Sequence, residues 1–253
     1  MRVVVKIGGS LLQQAGAGES WIHEIQRFVQ EGHQVAVVHG GGPAITESLS
    51  RAGVAVSFHQ GQRITTSEVL GHVVQVLRGQ VNAALIVQMS RAGIAAVGLS
   101  GVDGGMLQAR RLDGPDLGHV GKVAEVNPAL IQALWQASMV PVVAPLAMEQ
   151  GGRGILNCNG DGVAAALAVG LQADLMVFFT ERGGLRESPE PGAALVRQIA
   201  ASDIAQWISS GRANAGMVPK LESARDALRH GVPTVLIGSY YDAFQGSTEF
   251  LAD

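Results

Sequence analysis

The sequence predicts an α/β fold of three layers, with helices on both faces of a central, mainly parallel open sheet, arranged in two lobes. Three observations lead there. Short β-branched runs alternate with segments whose apolar residues recur at helical spacing, which describes successive β-α-β units. Across 253 residues, 47% are hydrophobic and only 15% charged, enough for a sizeable core and incompatible with general disorder. The 34 glycines, about 13% of the chain against roughly 7% in ordinary proteins, fall in short clusters between the apolar runs and follow no fixed period.

Val3–Ile7 reads as a buried strand. Glu19–Gln30 places Trp21, Ile22, Ile25, Phe28 and Val29 on one helical face, and Gly32 provides a stop. Gln34–Val38 is the next strand and Pro43–Ala52 the next helix, with Ile45, Leu49 and Ala52 at helical spacing. Thr65 or Thr66 is placed to cap a long helix to about Arg91, against which Gly71 and Gly79 count. Ile94–Leu99 returns to strand. Gly101–Gly121, rich in Gly, Asp and Arg, reads as an irregular or hairpin insert. Asn127-Pro128 is a cap and first-turn pair for a helix through Leu130, Ile131 and Leu134. Val140–Leu146 is a strand, and Glu149–Gly154 is a polar break that puts a lobe boundary near residue 150. The second half continues with helix Gly162–Leu171, strand Asp174–Thr180, loop Glu181–Gly192, helices Asp203–Ser210 and Lys220–His230, and strand Thr234–Ile237.

Composition excludes several classes. A net charge of -3 with no acidic or basic tail argues against a nucleic-acid footprint. The single Cys158 excludes an intramolecular disulfide framework. In residues 1–12, Lys6 and a Gly-Gly pair interrupt the apolar stretch a signal peptide needs, and no window has 18 uninterrupted apolar residues for a membrane span. The expectation is a soluble, cytoplasmic protein. Of the 18 basic residues only Lys6, Lys122 and Lys220 are lysines, so each lysine invites a specific explanation.

Ligands of such sheets bind at the carboxyl ends of strands. The first join is Lys6-Ile7-Gly8-Gly9-Ser10 and the second His39-Gly40-Gly41-Gly42 before Pro43. Glycine runs make tight turns, but two of them after successive strands favour an anion cradle of backbone N–H groups. Neither run fits the G-x-x-x-x-G-K-[ST] or G-x-G-x-x-G pattern. Gly98–Gly104 is either a polar turn around Asp103-Gly104 or a ligand loop. Asn157-x-Asn159-x-Asp161-Gly162 resembles a calcium loop, yet Ala168 occupies the position of the bidentate carboxylate. On an extended segment those three polar side chains would converge on one face; Asp161 alone could instead cap the following helix. Lys220 ends Asn214-Ala-Gly-Met-Val-Pro-Lys220 near a helix start, where the dipole disfavours a cation, which points to an anionic partner. Lys122 reads as a surface residue.

Seven segments in order carry a resemblance: KIGGS at Lys6–Ser10, VVHGGG at Val37–Gly42, GQRIT at Gly61–Thr65, GLSGVDG at Gly98–Gly104, LGHVG at Leu117–Gly121, LNCNGD at Leu156–Asp161 and AGMVPK at Ala215–Lys220. From Val3 to Pro233 the chain resembles the amino acid kinase family, and within it the acetylglutamate kinase branch. The resemblance implies ATP-dependent phosphorylation of the side-chain carboxylate of N-acetyl-L-glutamate in arginine biosynthesis, with Mg²⁺ held mainly by the nucleotide phosphates. It implies that Lys6 and Lys220 are catalytic and that Asp161 orients both. Gly8, Gly9, Gly41 and Gly42 would bind the phosphoryl group, the last two also facing substrate. Arg63 and Asn157 would hold the acetylated amino acid, and Thr180, Glu181, Gly216 and Met217 the nucleotide. Residues 1–150 would be the substrate lobe and main dimer contact, and residues 151–253 the ATP lobe. With the first strand at Val3, no extra N-terminal helix precedes it, and the resemblance implies an arginine-insensitive homodimer.

Three departures stand out. Thr180-Glu181-Arg182-Gly183-Gly184 replaces a Thr-Asp followed by a hydrophobic turn. Gly160 replaces a common alanine, and Gly246-Ser247-Thr248 is the nearest match to a C-terminal glycine-threonine ending. Two other readings share the motifs: a kinase for acetylaminoadipate, free or carrier-linked, and a non-catalytic regulator that binds nucleotide or amino acid.

Overall fold

The computed structural model describes residues 1–13, 18–112, 116–152, 154–180, 183–188, 190, 192–213, 216–238 and 246–253. The first half runs β1 (Arg2–Ile7), α1 (Gly18–Gln30), β2 (Gln34–His39), α2 (Gly42–Arg51), a short hairpin of β3 (Phe58–His59) and β4 (Gln62–Arg63), α3 (Ser67–Val74), a π-helical turn at Gln75–Val81, α4 (Asn82–Arg91) and β5 (Ala96–Ser100). It continues through β6 (Leu107–Arg111), β7 (Val120–Val126), α5 (Ala129–Gln136), β8 (Val140–Ala144) and β9 (Leu146–Glu149). The second half runs β10 (Ile155–Cys158), α6 (Gly160–Gly170), β11 (Leu175–Phe179), β12 (Gln198–Ala200), α7 (Ile204–Ser209), α8 (Val218–Arg229), β13 (Thr234–Ile237) and β14 (Thr248–Leu251).

Eight strands form the central sheet in the order β12-β14-β13-β11-β1-β2-β8-β5. Every described neighbour pair is parallel except β13 with β14. The alternation of side chains along each strand separates two cores. Val3, Val5 and Ile7 join Val35, Val37 and Val177 under Trp21, Ile25 and Phe28 of α1 and Leu85 and Met89 of α4. Val4, Ala36, Val38, Met176 and Phe178 face α5, α6 and α8 on the opposite side. Trp135 of α5 is anchored there by its indole N–H, which donates to Val35 O at 2.8 Å. Two apolar faces on one sheet are what make the fold three-layered, as the strand–helix alternation predicts.

A second unit rings β10, β7, β6 and β9, with β6/β7 and β9/β10 antiparallel and β7/β10 and β6/β9 parallel. The expected hairpin insert is therefore part of a closed four-stranded ring. The expected strand Val140–Leu146 is divided at Pro145: β8 stays in the sheet, while β9 leaves it for the ring. Proline has no N–H to continue the ladder. The expected break at Glu149–Gly154 is shorter than predicted, because β9 runs to Glu149. Beyond it, β10 pairs with β7 and β9, so the chain rejoins the first half before β11 extends the sheet on the far side of β1.

Thr66, rather than Thr65, caps the long helix, accepting from Val69 N at 3.3 Å. The helix continues to Arg91 through the π-helical turn, and Gly71 is accommodated in open space. Asn127 Oδ1 accepts from Ala129 N at 3.1 Å, with Pro128 just before α5 rather than in its first turn. Two substitutions test these environments by urea unfolding. A Cβ at Gly121 would lie 2.7 Å from Leu156 Cδ1 and 3.0 Å from Arg110 O inside the ring, so Gly121→Ala is expected to destabilise by ~1–3 kcal/mol. Gly71→Ala, in a helix with nothing within 4 Å, is expected to stabilise by ~0.4–1 kcal/mol.

Candidate active site

Parallel register brings the strand ends together. Ile7 is level with His39 of β2 on one side and Phe179 of β11 on the other, so the loops after all three strands start side by side. Gly8–Gly9 and Gly40–Gly42 then touch backbone to backbone. A Cβ at Gly9 would lie 2.8 Å from Gly41 N and 3.1 Å from Gly42 N, and one at Gly40 would lie 2.8 Å from Gly9 N. Only glycine permits this approach at positions 9 and 40. Pro43 occupies the first turn of α2, so the second loop also opens a helix N-terminus.

Two lysines converge beside this cradle. Lys6 Nζ lies 2.6 Å from Asp161 Oδ1, and Lys220 Nζ lies 3.2 Å from Asp161 Oδ2. The Lys6 and Asp161 side chains are 8% and 7% exposed, and Lys220 17%. Lys6 comes from β1, Asp161 from the first turn of α6 and Lys220 from the first turn of α8, where its Nζ also donates to Gly216 O at 3.3 Å. Burial alone would raise the Asp161 carboxyl, but the two ammonium groups override it and hold it below the ordinary carboxylate range. Burial pushes the Lys220 ammonium down, Asp161 opposes this, and Lys6 reinforces it; the net direction is downward. Two cations share one carboxylate, leaving a positive charge for an anion.

Arg63 supplies a second cationic point. Its guanidinium Nη2 donates to Gly42 O at 3.0 Å and Thr46 Oγ1 at 2.7 Å, and the Phe58 ring lies 4.7 Å from its Cζ. The residue is 7% exposed, and its Nη1 has no partner among the described residues. Burial lowers its pKa, although guanidinium stays charged at any physiological pH. A buried, half-satisfied guanidinium next to the glycine cradle is complementary to a carboxylate.

The profile described as "Amino acid kinase family" matches residues 1–239. The chain belongs to this family. It is 34% identical over 249 residues to an acetylglutamate kinase of Bacillus licheniformis, covering 98% of this chain and 94% of the relative. An acetylglutamate kinase of Rubrobacter xylanophilus is 40% identical over 235 residues, covering 93% and 88%. Among solved structures, a protein of Streptococcus mutans UA159 superposes with a TM-score of 0.89 at 30% identity, covering 100% of this chain and 99% of that one. Carbamate kinase from Giardia lamblia bound to AMP-PNP gives 0.72 at 17% identity, covering 100% and 98%, a likeness of fold.

In this member of the amino acid kinase family, Asn157, Asn159 and Asp161 do not converge as an extended segment would require. The helix begins at Gly160, so Asn159 is the cap, its Oδ1 accepting from Asp161 N at 2.8 Å and Gly162 N at 3.3 Å. Asp161 is thereby freed from capping and turned to the lysines. Asn157, still on β10, donates from Nδ2 to Thr65 Oγ1 at 3.1 Å. Gly8 lies between the two neighbouring strand ends: a Cβ there would meet Phe179 O at 3.7 Å, and its own carbonyl carbon is 3.6 Å from where a Cβ at Gly40 would sit. Thr180 donates to Gly183 O at 2.5 Å, and Met217 immediately precedes α8 without a side-chain capping hydrogen bond. Glu181 lies outside the described residues, as do Arg182, Pro189, Pro191, Asn214 and Ala215. Lys122 is at the surface as expected, 75% exposed and 3.6 Å from Asp226. Gly98–Gly104 is organised by Asp103 Oδ2, which accepts from Ser100 N at 2.6 Å and Ser100 Oγ at 2.8 Å.

Sequence reasoning missed Thr46, which holds Arg63, and the pair His39–Asn82, buried behind the second glycine loop at 3.1 Å. The available signals were a polar residue ending the apolar run Gln34–His39 and an asparagine inside a helical pattern. A cavity of about 680 Å³ lined in part by Arg197, Trp207 and Arg212 contains none of the lysine–aspartate groups.

Asp161→Asn removes the anion between two buried ammonium groups and is expected to cost ~3–5 kcal/mol, measured by chemical unfolding near neutral pH. Because the folded-state carboxyl titrates below its ordinary 3.8, this stabilisation is complete above that value and disappears as pH falls through the depressed one. Wild type and variant should therefore converge in stability only in strong acid.

Proposed function

We propose that the chain transfers the γ-phosphoryl group of MgATP to the side-chain carboxylate of N-acetyl-L-glutamate, giving N-acetyl-L-glutamyl 5-phosphate and ADP. The observation that carries this reading is the carboxylate of Asp161 bridging Lys6 and Lys220 beside two glycine loops. The near full-length similarity to acetylglutamate kinases of Bacillus licheniformis and Rubrobacter xylanophilus supports the acceptor, and the proposed reaction belongs to arginine biosynthesis.

A carboxylate oxygen attacks the γ-phosphorus, the bond to the β–γ bridging oxygen breaks, and ADP leaves with that electron pair. Both reactants are anionic, so the protein's task is alignment and charge neutralisation. Lys6 and Lys220 act as compact cations on the non-bridging oxygens, and Asp161 holds both at fixed separation. Amides of Gly9, Gly41 and Gly42 hold the transferring phosphoryl group, with Gly8 shaping the turn. Arg63 holds the α-carboxylate through its free Nη1, and Asn157 the acetylated amino acid. No base is needed, since the acceptor carboxylate is ionised at neutral pH. Transfer is direct and in line, with no covalent enzyme intermediate.

Thr180, Glu181, Gly216 and Met217 contact the nucleotide in a lobe spanning residues 151–253; residues 1–150 form the acceptor lobe and the main contact of a cytoplasmic homodimer. Mg²⁺ enters as part of the nucleotide substrate. Among the described residues no group of three or more His, Cys, Asp or Glu is arranged as a metal cage, and an ion carried by phosphates and water needs none.

A hydroxamate trap for acyl phosphate tests the reading, with MgATP and N-acetylglutamate, N-acetylaminoadipate, glutamate or aspartate as acceptors. N-acetylglutamate should give the highest kcat/KM. Preference for N-acetylaminoadipate would reassign the acceptor, and turnover of none would support a regulatory protein. Lys6→Met and Lys220→Met are each expected to lower kcat by about 10²-fold or more, as loss of one preorganised charge stabiliser does. With Lys220 depressed below the ordinary 10.5, kcat/KM for ATP should fall on the alkaline side below that pH, because deprotonation removes a required cation.

A further inference from the structure

We propose that His39 and Asn82 are positioning residues that set the direction of Gly41 N–H in the phosphoryl cradle, an inference that rests on the kinase reading above. His39 ends β2 with its side chain at 0% exposure. Its Nδ1 lies 2.9 Å from Gly40 O, and its Nε2 lies 3.1 Å from Asn82 Nδ2. Asn82 determines which ring nitrogen carries the proton. The same Nδ2 lies 2.9 Å from Val142 O and 3.4 Å from Leu99 O, two carbonyls that can only accept. The asparagine nitrogen, not its oxygen, must therefore face this side; one of its two hydrogens serves Val142 O, and the other lies toward His39 Nε2, with Leu99 O at the limit of hydrogen-bond range. An accepting Nε2 leaves the proton of a neutral imidazole on Nδ1, which donates to Gly40 O.

The consequence reaches the cradle through one peptide plane. The Gly40–Gly41 peptide is trans, as are all the others described, so its carbonyl and the Gly41 N–H point in opposite directions. With the carbonyl drawn to His39, the N–H turns away from the ring, and Gly41 N is the atom that a Cβ at Gly9 would meet at 2.8 Å. A flipped peptide would present a carbonyl oxygen to the phosphoryl group instead of a donor. Glycines on both sides of this peptide give it no steric preference of its own, so an external hold is required.

Asn82 is delivered by the π-helical turn Gln75–Val81 and is itself 1% exposed at the start of α4. Gly98 of β5 makes room for it, since a Cβ there would overlap Asn82 Oδ1. Leu77 from the same turn fills the space beside Gly41, where a Cβ would meet its Cδ2. Burial lowers the His39 pKa to about 4, the Gly40 hydrogen bond opposes this, and Lys6 adds to the lowering, so the imidazole is neutral throughout the working range. His39 acts on the reaction through Gly41 and transfers no proton.

Two measurements test this. Long-range ¹⁵N–¹H spectra of histidine-labelled wild type read the tautomer directly: His39 should be Nδ1-protonated and neutral at pH 7, and an Nε2-protonated or doubly protonated ring would overturn the proposal. Kinetics use two amide replacements. In His39→Asn the amide can replace the Nδ1 donor, whereas His39→Gln moves it toward the Nε2 position. His39→Gln is expected to lose about 10–100-fold in kcat with KM for N-acetylglutamate changed less than about threefold, and His39→Asn to recover most of that loss. Equal kcat in both variants, or a loss tracking melting temperature alone, would overturn it. Absence of acyl phosphate with wild type would instead remove the kinase reading, while the tautomer would still decide whether the hold on Gly41 exists.

Discussion

The carboxylate of Asp161 lies between two ammonium groups that arrive from opposite ends of the sequence, residue 6 on β1 and residue 220 on α8. Two like charges in one largely buried pocket repel by several kcal/mol at an effective dielectric near 20. A single carboxylate, one oxygen per lysine, converts that repulsion into a bridge. It does so only if α6 starts where it does, with Asn159 capping the helix and Asp161 in its first turn. The central strand, the crossover helix and a late helix are thus tied at one point. The remaining positive charge on that point suits it to an anion. In a chain with only three lysines, two are used here. A flexible stem with a compact charge can reach a shared carboxylate and still face a ligand; a planar guanidinium is better suited to the fork-shaped contact that Arg63 offers.

Everything beside this bridge depends on the absence of side chains. The in-register ends of β1 and β2 would bring two loops into collision if either carried a Cβ at positions 9 or 40. Their contact places amides from two different loops on one small volume, which neither loop provides alone. Glycine makes the approach possible but leaves each peptide free to rotate, and the cost of that freedom is met by neighbours: the start of α2 beyond Gly42, Leu77 beside Gly41, and the His39–Asn82 pair behind Gly40. Permissive backbone and rigid surroundings are two halves of one arrangement.

The layered α/β architecture was legible because strand and helix periods are local properties, and Val3–Val5, Val35–Val38 and Leu175–Phe179 are continuous apolar runs. The lysines and glycine loops were legible because they break rules that ordinary sequence obeys, such as a lysine at a helix start. What was not legible depends on partners distant in sequence. β12 and β14 are only three and four residues long and exist through each other and β13. The division at Pro145 is set by β9 finding β6 and β10. The convergence inferred for Asn157, Asn159 and Asp161 failed because the period changes from two to 3.6 between them, where strand β10 gives way to helix α6. His39 and Asn82 are 43 residues apart, and neither has a local pattern that announces the other.

The site also explains where this fold carries its internal tension. Lys6, Lys220 and Arg63 against Asp161 leave two positive charges in a partly desolvated region, and one guanidinium nitrogen of Arg63 is buried without a partner. Each such group weakens the folded state relative to an apolar replacement. The compensation lies in the two apolar clusters that clamp the sheet from either face, where Trp21, Phe28, Ile131 and Phe178 are almost wholly buried. A ligand with carboxylate and phosphate groups, as the proposed function requires, would complete the pairing that the protein leaves open, and binding and stability would then be linked: whatever satisfies Arg63 and the lysine pair stabilises the fold by the free energy of its binding. Burying charge without its counter-charge is costly for a structural core, and on the proposed function the missing counter-charge is the one the substrate would bring.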